Sequence, residues 1–147
     1  MSFKLFTANE LCKLAAEHEF SKLFRSDSER FWMNLVTKDH PPDLVSEMHD
    51  TEADIYVVVE GEADLYLGGA LVEPSSPQIG QHVGANLEGA ACHHVKHGDV
   101  IVIPAGIPHM VDARHSRFVY LVIKEDVAGT GGRDECAGDA SPAGPLL

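Results

Sequence analysis

His109 closes a stretch whose residue types hold it in place: Gly98-Asp99-Val100-Ile101-Val102-Ile103-Pro104-Ala105-Gly106-Ile107-Pro108-His109. An imidazole fixed beyond so stiff a corner is suited to bind a metal ion or to move a proton. Upstream, Glu47 and His49 alternate along an extended run, so their side chains face the same way. After four residues Asp54 opens the next segment and could face the same cavity. Adding His109 gives two imidazoles and one or two carboxylates. This mixed nitrogen and oxygen set suits one divalent transition metal ion (Fe, Mn, Ni or Zn) rather than a thiolate-loving metal. His49, Asp54 and His109 alone make a two-histidine, one-carboxylate arrangement with open positions for substrate or dioxygen. Glu47 is then a fourth ligand or a nearby catalytic base. Tyr56 shares Asp54's face by the period of two and could bring a catalytic phenol toward the ion. The plainer role for Tyr56 is core packing with its hydroxyl satisfied locally.

These side chains need strands to carry them. Val100 to Ile103 are all β-branched and apolar, which predicts a strand buried on both faces. Pro104 cannot donate to a ladder and Gly106 permits unusual backbone angles, so the chain bends there; Pro108 then keeps Ile107 extended. Residues 44–49 predict a short strand. Residues 54–60 and 63–67 predict a hairpin around the Gly61 turn, closed by Gly68-Gly69. Residues 30–38 and 118–124 predict two more strands, with Phe31, Trp32 and Tyr120 as core. Thr7-Ala8-Asn9-Glu10 has the form of a capping box, and Leu11, Leu14, Ala15 and His18 share one face, so residues 8–17 predict a helix. Residues 70–97 read as a loop followed by one irregular strand. His93 shares the face of Val95 and lines the pocket if Val95 packs in the core. His18, His40, His82 and His115 have no partner pattern and read as surface residues.

The spacing Gly98, Pro104, Gly106, His109 resembles the second conserved motif of the cupin superfamily. The first cupin motif (His, one residue, His, three or four residues, Glu, six residues, Gly) is matched in spacing by His49, Asp54 and Gly61. Glu47 stands in place of the first His and Asp54 in place of the Glu, while Ala113 replaces an expected Asn. The resemblance covers about residues 31–125. It implies an all-β antiparallel cupin barrel, a double-stranded β-helix or jelly roll, here with a short N-terminal helix. It also implies a metal inside the barrel and a homodimer through outer strands. Dioxygenase, isomerase, lyase and cyclase reactions all occur on similar small cupins.

The resulting organisation is an N-terminal helix and lead-in (1–30), a barrel (31–126) and a flexible C-terminal tail (127–147), the tail being poor in apolar pattern. The 44% of hydrophobic residues suffice for one core at 147 residues. A net charge of −12, with only 11 Lys and Arg, argues against a nucleic-acid partner. No apolar run approaches the ~20 residues of a membrane span, and the N-terminus lacks a signal-peptide pattern. Three cysteines without metal spacing, Cys12, Cys92 and Cys136, point to a reducing, cytoplasmic setting. The sequence therefore predicts a metal-dependent enzyme acting on a small organic molecule. A non-catalytic small-molecule-binding or sensing cupin that needs no metal is the alternative.

Overall fold

The computed structural model describes residues 2–128. Beyond its first two residues, the expected tail lies outside the described residues. Helix α1 (Ala8–Glu17) is followed by β1 (Phe20–Arg25), β2 (Phe31–Asp39), β3 (Ser46–His49), β4 (Glu52–Leu67) and β5 (Ala70–Val72). Then come β6 (Ser75–Gln78), β7 (Gln81–Gly84), β8 (Asn86–Glu88), β9 (Ala91–Lys96), β10 (Val100–Ile103), β11 (His109–Asp112) and β12 (Arg117–Asp126). All pairings are antiparallel. The fold class is the one expected: an antiparallel jelly-roll barrel with one short helix.

β4 is the common wall of two sheets. Its first half lies between β12 and β10, with β2 and β1 continuing beyond β12. Its second half lies between β11 and β9, with β3, β7 and β6 continuing beyond β11. The expected hairpin at Gly61 is therefore absent, and a single 16-residue strand runs through. Gly61 is instead the pivot where that strand changes sheets. It has φ +78°, and a Cβ placed there would stand 1.9 Å from the Arg117 carbonyl oxygen. The ladder to β12 shifts register nearby, between Val119 and Tyr120, which sharpens the bend.

The core lies between the sheets and includes Tyr56, Val58, Leu65, Ile103, Val111, Phe118 and Tyr120. α1 starts as expected: Thr7 Oγ1 accepts from Glu10 N–H while the Glu10 carboxylate accepts from Thr7 N–H. Its Ala15, with Leu11 and Leu14, packs on Leu35 and Val119 of the outer sheet face. Three readings need correction. Val100 and Val102 are 60% and 63% exposed, because β10 is an edge strand with only one covered face. Phe31 is exposed and Trp32 half-buried, since they sit at the end of β2 beyond the facing layer. Residues 70–97 form five short strands rather than one, and 20–25 add a strand that the lead-in concealed.

Candidate functional site

The two motif segments meet directly. β11 pairs with β3 so that His109 lies opposite Glu47, and their side chains emerge on one face. The corner between β10 and β11 is tied to the same strand: Gly106, at φ +82°, donates its N–H to the His49 carbonyl at 2.7 Å. A residue with a Cβ resists that backbone angle, so the Pro104-Gly106 corner and β3 are built as one piece. Asp54 arrives from β4, where it pairs with Ile103 on one side and Lys124 on the other.

The donor atoms converge. One ligand atom from each of Glu47, His49 and His109 lies within 4.8 Å of the others. The Asp54 carboxylate stands 3.4 Å from His49 Nε2 and 3.5 Å from His109 Nε2. His49, His109 and Asp54 are buried, whereas the Glu47 side chain is half-exposed. His109 Nδ1 donates to the Ile107 carbonyl at 2.9 Å, which leaves Nε2 as the bare acceptor. That Nε2 is fully buried with no hydrogen-bond partner among the described residues. A buried polar atom without a partner is costly, and a cation among these donors removes the cost. His49 is fixed in the same way by the Gln81 amide oxygen on its Nδ1. An outer hydrogen bond that sets the tautomer is what a metal-binding imidazole ordinarily has. The residues present therefore fit a divalent metal ion held by Glu47, His49 and His109.

A lysine sits among the acids. Lys124 Nζ is 2.7 Å from Asp54 Oδ1, 3.3 Å from Glu52 Oε2 and 3.2 Å from His49 Nε2. Burial alone would raise the Asp54 pKa. The adjacent His109 and His49 imidazoles, with the Lys124 ammonium, outweigh it and hold the carboxyl well below the usual range. Burial lowers and Asp54 raises the His49 pKa; Lys124 opposes Asp54, and the balance is upward. The Tyr56 phenol is pushed far up by burial first and by Tyr120 and the two carboxylates after it, so it stays protonated. Its ring meets the His109 imidazole edge-on at 6.1 Å.

A cavity of about 220 Å³ opens beside these groups. Its walls include Glu47, Asp54, Tyr56, His109 and Lys124, together with Asn34, Val36 and Lys38 from β2. His93 lies elsewhere. It does share a hollow with Val95, but β9 is an edge strand and His93 is exposed at its uncovered end, away from this cavity. His82 and His40 are not without partners: His82 bridges Ser76 and Asp50, and His40 bonds Asp39. Sequence reading missed Lys124, although it ends the inward row Phe118, Tyr120, Val122 of β12. A charge closing an apolar row was the available signal. Gln81 offered none, because it sits in a segment read as loop.

This two-sheet barrel with its site between the sheets is the cupin fold. The chain matches no protein-family model and no curated protein. Solved structures do share its architecture. A conserved protein with a double-stranded β-helix domain from Klebsiella pneumoniae subsp. pneumoniae aligns with TM-score 0.55 at 14% identity, over 86% of this chain and 93% of that one. The cupin domain of Cnp3 from Schizosaccharomyces pombe aligns with TM-score 0.52 at 10% identity, over 73% and 63%. DMSP lyase DddQ from Ruegeria pomeroyi aligns with TM-score 0.50 at 20% identity, over 75% of this chain but 47% of that one. At such identities the likeness is one of fold.

Proposed function

We propose that this protein is a metal-dependent cupin enzyme acting on a small organic molecule. The observation that carries the reading is the buried, unpartnered His109 Nε2 directed among Glu47, His49 and Asp54. Glu47, His49 and His109 hold the ion, which is Fe, Mn, Ni or Zn by the chemistry of the donors. When bound, such an ion polarises a carbonyl, carboxylate or enolate oxygen of the substrate. The chain's own groups favour proton transfer. Tyr56 lines the cavity with a phenol held protonated, so it donates a hydrogen bond or a proton and does not act as a base. Glu47, half-exposed, offers one oxygen as ligand and the other as proton acceptor. Asp54, ionised beside Lys124, places a negative charge next to the Nε2 atoms of both imidazoles. Lyase or isomerase chemistry fits this set best, and DddQ, which shares the fold, is a DMSP lyase.

One observation favours a second reading. The Lys124 ammonium already stands where it neutralises Asp54 and touches His49 Nε2. A cavity so compensated can bind a small molecule without a metal, as a sensor would. Elemental analysis of the untagged protein, with His49→Ala and His109→Ala beside it, separates the two. The enzyme reading expects close to one metal per chain, lost in both variants. A wild-type protein that holds none after reconstitution with Fe(II), Mn(II), Ni(II) and Zn(II) turns the reading to the sensor.

The homodimer belongs to the same reading: β10 leaves one edge unpaired among the described residues, and Val100 and Val102 are exposed on it. The cytoplasmic setting rests on Cys12 and Cys92, both free and exposed. No helix among the described residues is long and apolar enough to cross a membrane.

A further inference from the structure

The inward face of β2 carries Asn34, Val36 and Lys38 at the period of two, and all three line the cavity. Lys38 is half-buried, yet its side chain makes no hydrogen bond or ion pair among the described residues. The other cavity lysine, Lys124, is held by two carboxylates. Asn34 is only 9% exposed, and its amide makes no side-chain hydrogen bond either. Lysines seldom sit in a half-enclosed wall without a partner. In a chain with 23 acidic residues and 11 basic ones, partners are plentiful on the surface. A cation left unsatisfied in a cavity wall is a recognition point for an anion, and the amide beyond Val36 on the same row is a second polar contact.

The charge of the whole cavity agrees. Among the lining residues Glu47 and Asp54 are balanced by Lys38 and Lys124, and Glu52, paired with Lys124, adds one negative charge. A divalent ion would leave the site positive by one, and a monoanionic ligand restores the balance. This step rests on the metal reading above; the Lys38 and Asn34 geometry stands without it. Between Lys38 at one end and Asn34 with Tyr56 at the other the wall is apolar, with Val36 and Val122, and Phe20 and Val45 at the half-exposed rim. The volume is below the roughly 300–1,000 Å³ of sites for drug-sized ligands.

We infer that the cavity takes a small carboxylic acid with a short apolar body, its carboxylate bound by Lys38 and its other end reaching past Val36 to the Asn34 amide. That end of the molecule then faces His109, Glu47 and Tyr56.

Butanoate and its uncharged counterpart butanamide are suitable probes, followed by NMR shift titration of metal-loaded and chelator-treated protein. Wild type is expected to prefer butanoate by tenfold or more, since a hydrogen-bonded charge contributes at least that factor. Lys38→Met should abolish the preference while metal content stays as in wild type, and Lys38→Arg should keep it. Equal binding of both probes, binding of neither, or a preference that survives Lys38→Met overturns the inference. A preference that disappears on chelation and persists in Lys38→Met assigns the carboxylate to the ion, which also overturns it. A wild-type protein without metal that still shows a Lys38-dependent preference sinks the metal reading and leaves this one standing.

Discussion

Lys124 is the residue whose charge opposes what its neighbours attract. Its ammonium lies in the same small space as the imidazoles, bonded to Asp54. A unit charge about 4 Å away contributes ~4 kcal/mol at an effective dielectric of about 20, and a divalent ion feels it doubly before solvent screening. Lys124→Met should therefore tighten divalent-metal binding by roughly tenfold or more, read by competition with a chromogenic chelator. Unchanged or weaker binding would show that the ammonium does not compete. The histidines were legible because local stiffness marks them: the Pro104-Gly106-Pro108 corner for His109, and alternation with Glu47 for His49. Asp54 was legible as a neighbour of both, but its bond to Lys124 was not. That pairing joins residues seventy apart in the chain through register alone. Lys38 and Asn34 were hidden likewise, since nothing in their local sequence says which face of β2 turns inward.

Among the elements, β4 decides the shape of the site. Its first half brings Asp54 and Tyr56 from one sheet, and its second half supports β11, which brings His109 from the other. The angle at Gly61 thus sets the distance between the two groups. The sequence marked Gly61 as special and misjudged how: a positive φ serves a turn or a bend between sheets equally well. The difference lies in what approaches it, here the Arg117 carbonyl from 56 positions further along the chain. Gly61→Ala has to carry both the strained angle, itself ~1–3 kcal/mol, and the contact with that carbonyl. Urea denaturation should show a loss of roughly 3 kcal/mol or more. A midpoint near that of wild type would mean that the bend relaxes freely. The N-terminal helix was read to the residue because its signals, the Thr7–Glu10 box and one apolar face, are local. The short strands of 70–97 were not, because pairing partners rather than propensity create them.

For the whole molecule, the jelly roll was legible from two spaced motifs, while the number of strands and the two-sheet wall were products of closure. One consequence concerns time. The N–H of Gly106 clasps the carbonyl of His49, so the two imidazoles become neighbours only when chain segments far apart have zipped together. A nascent or unfolded chain offers a divalent ion scattered single donors, and non-local pairing of this kind forms slowly. On the metal reading proposed above, an ion that meets its full set of donors only in the finished barrel works as a late lock. It raises native stability by mass action but has nothing to grip on the way uphill. Stopped-flow refolding in chelator and in metal should give superimposable folding limbs, with the unfolding limb displaced downward by the metal. If the ion instead quickens refolding, β3 and β11 meet before the barrel closes, and the clasp is where folding of this chain begins.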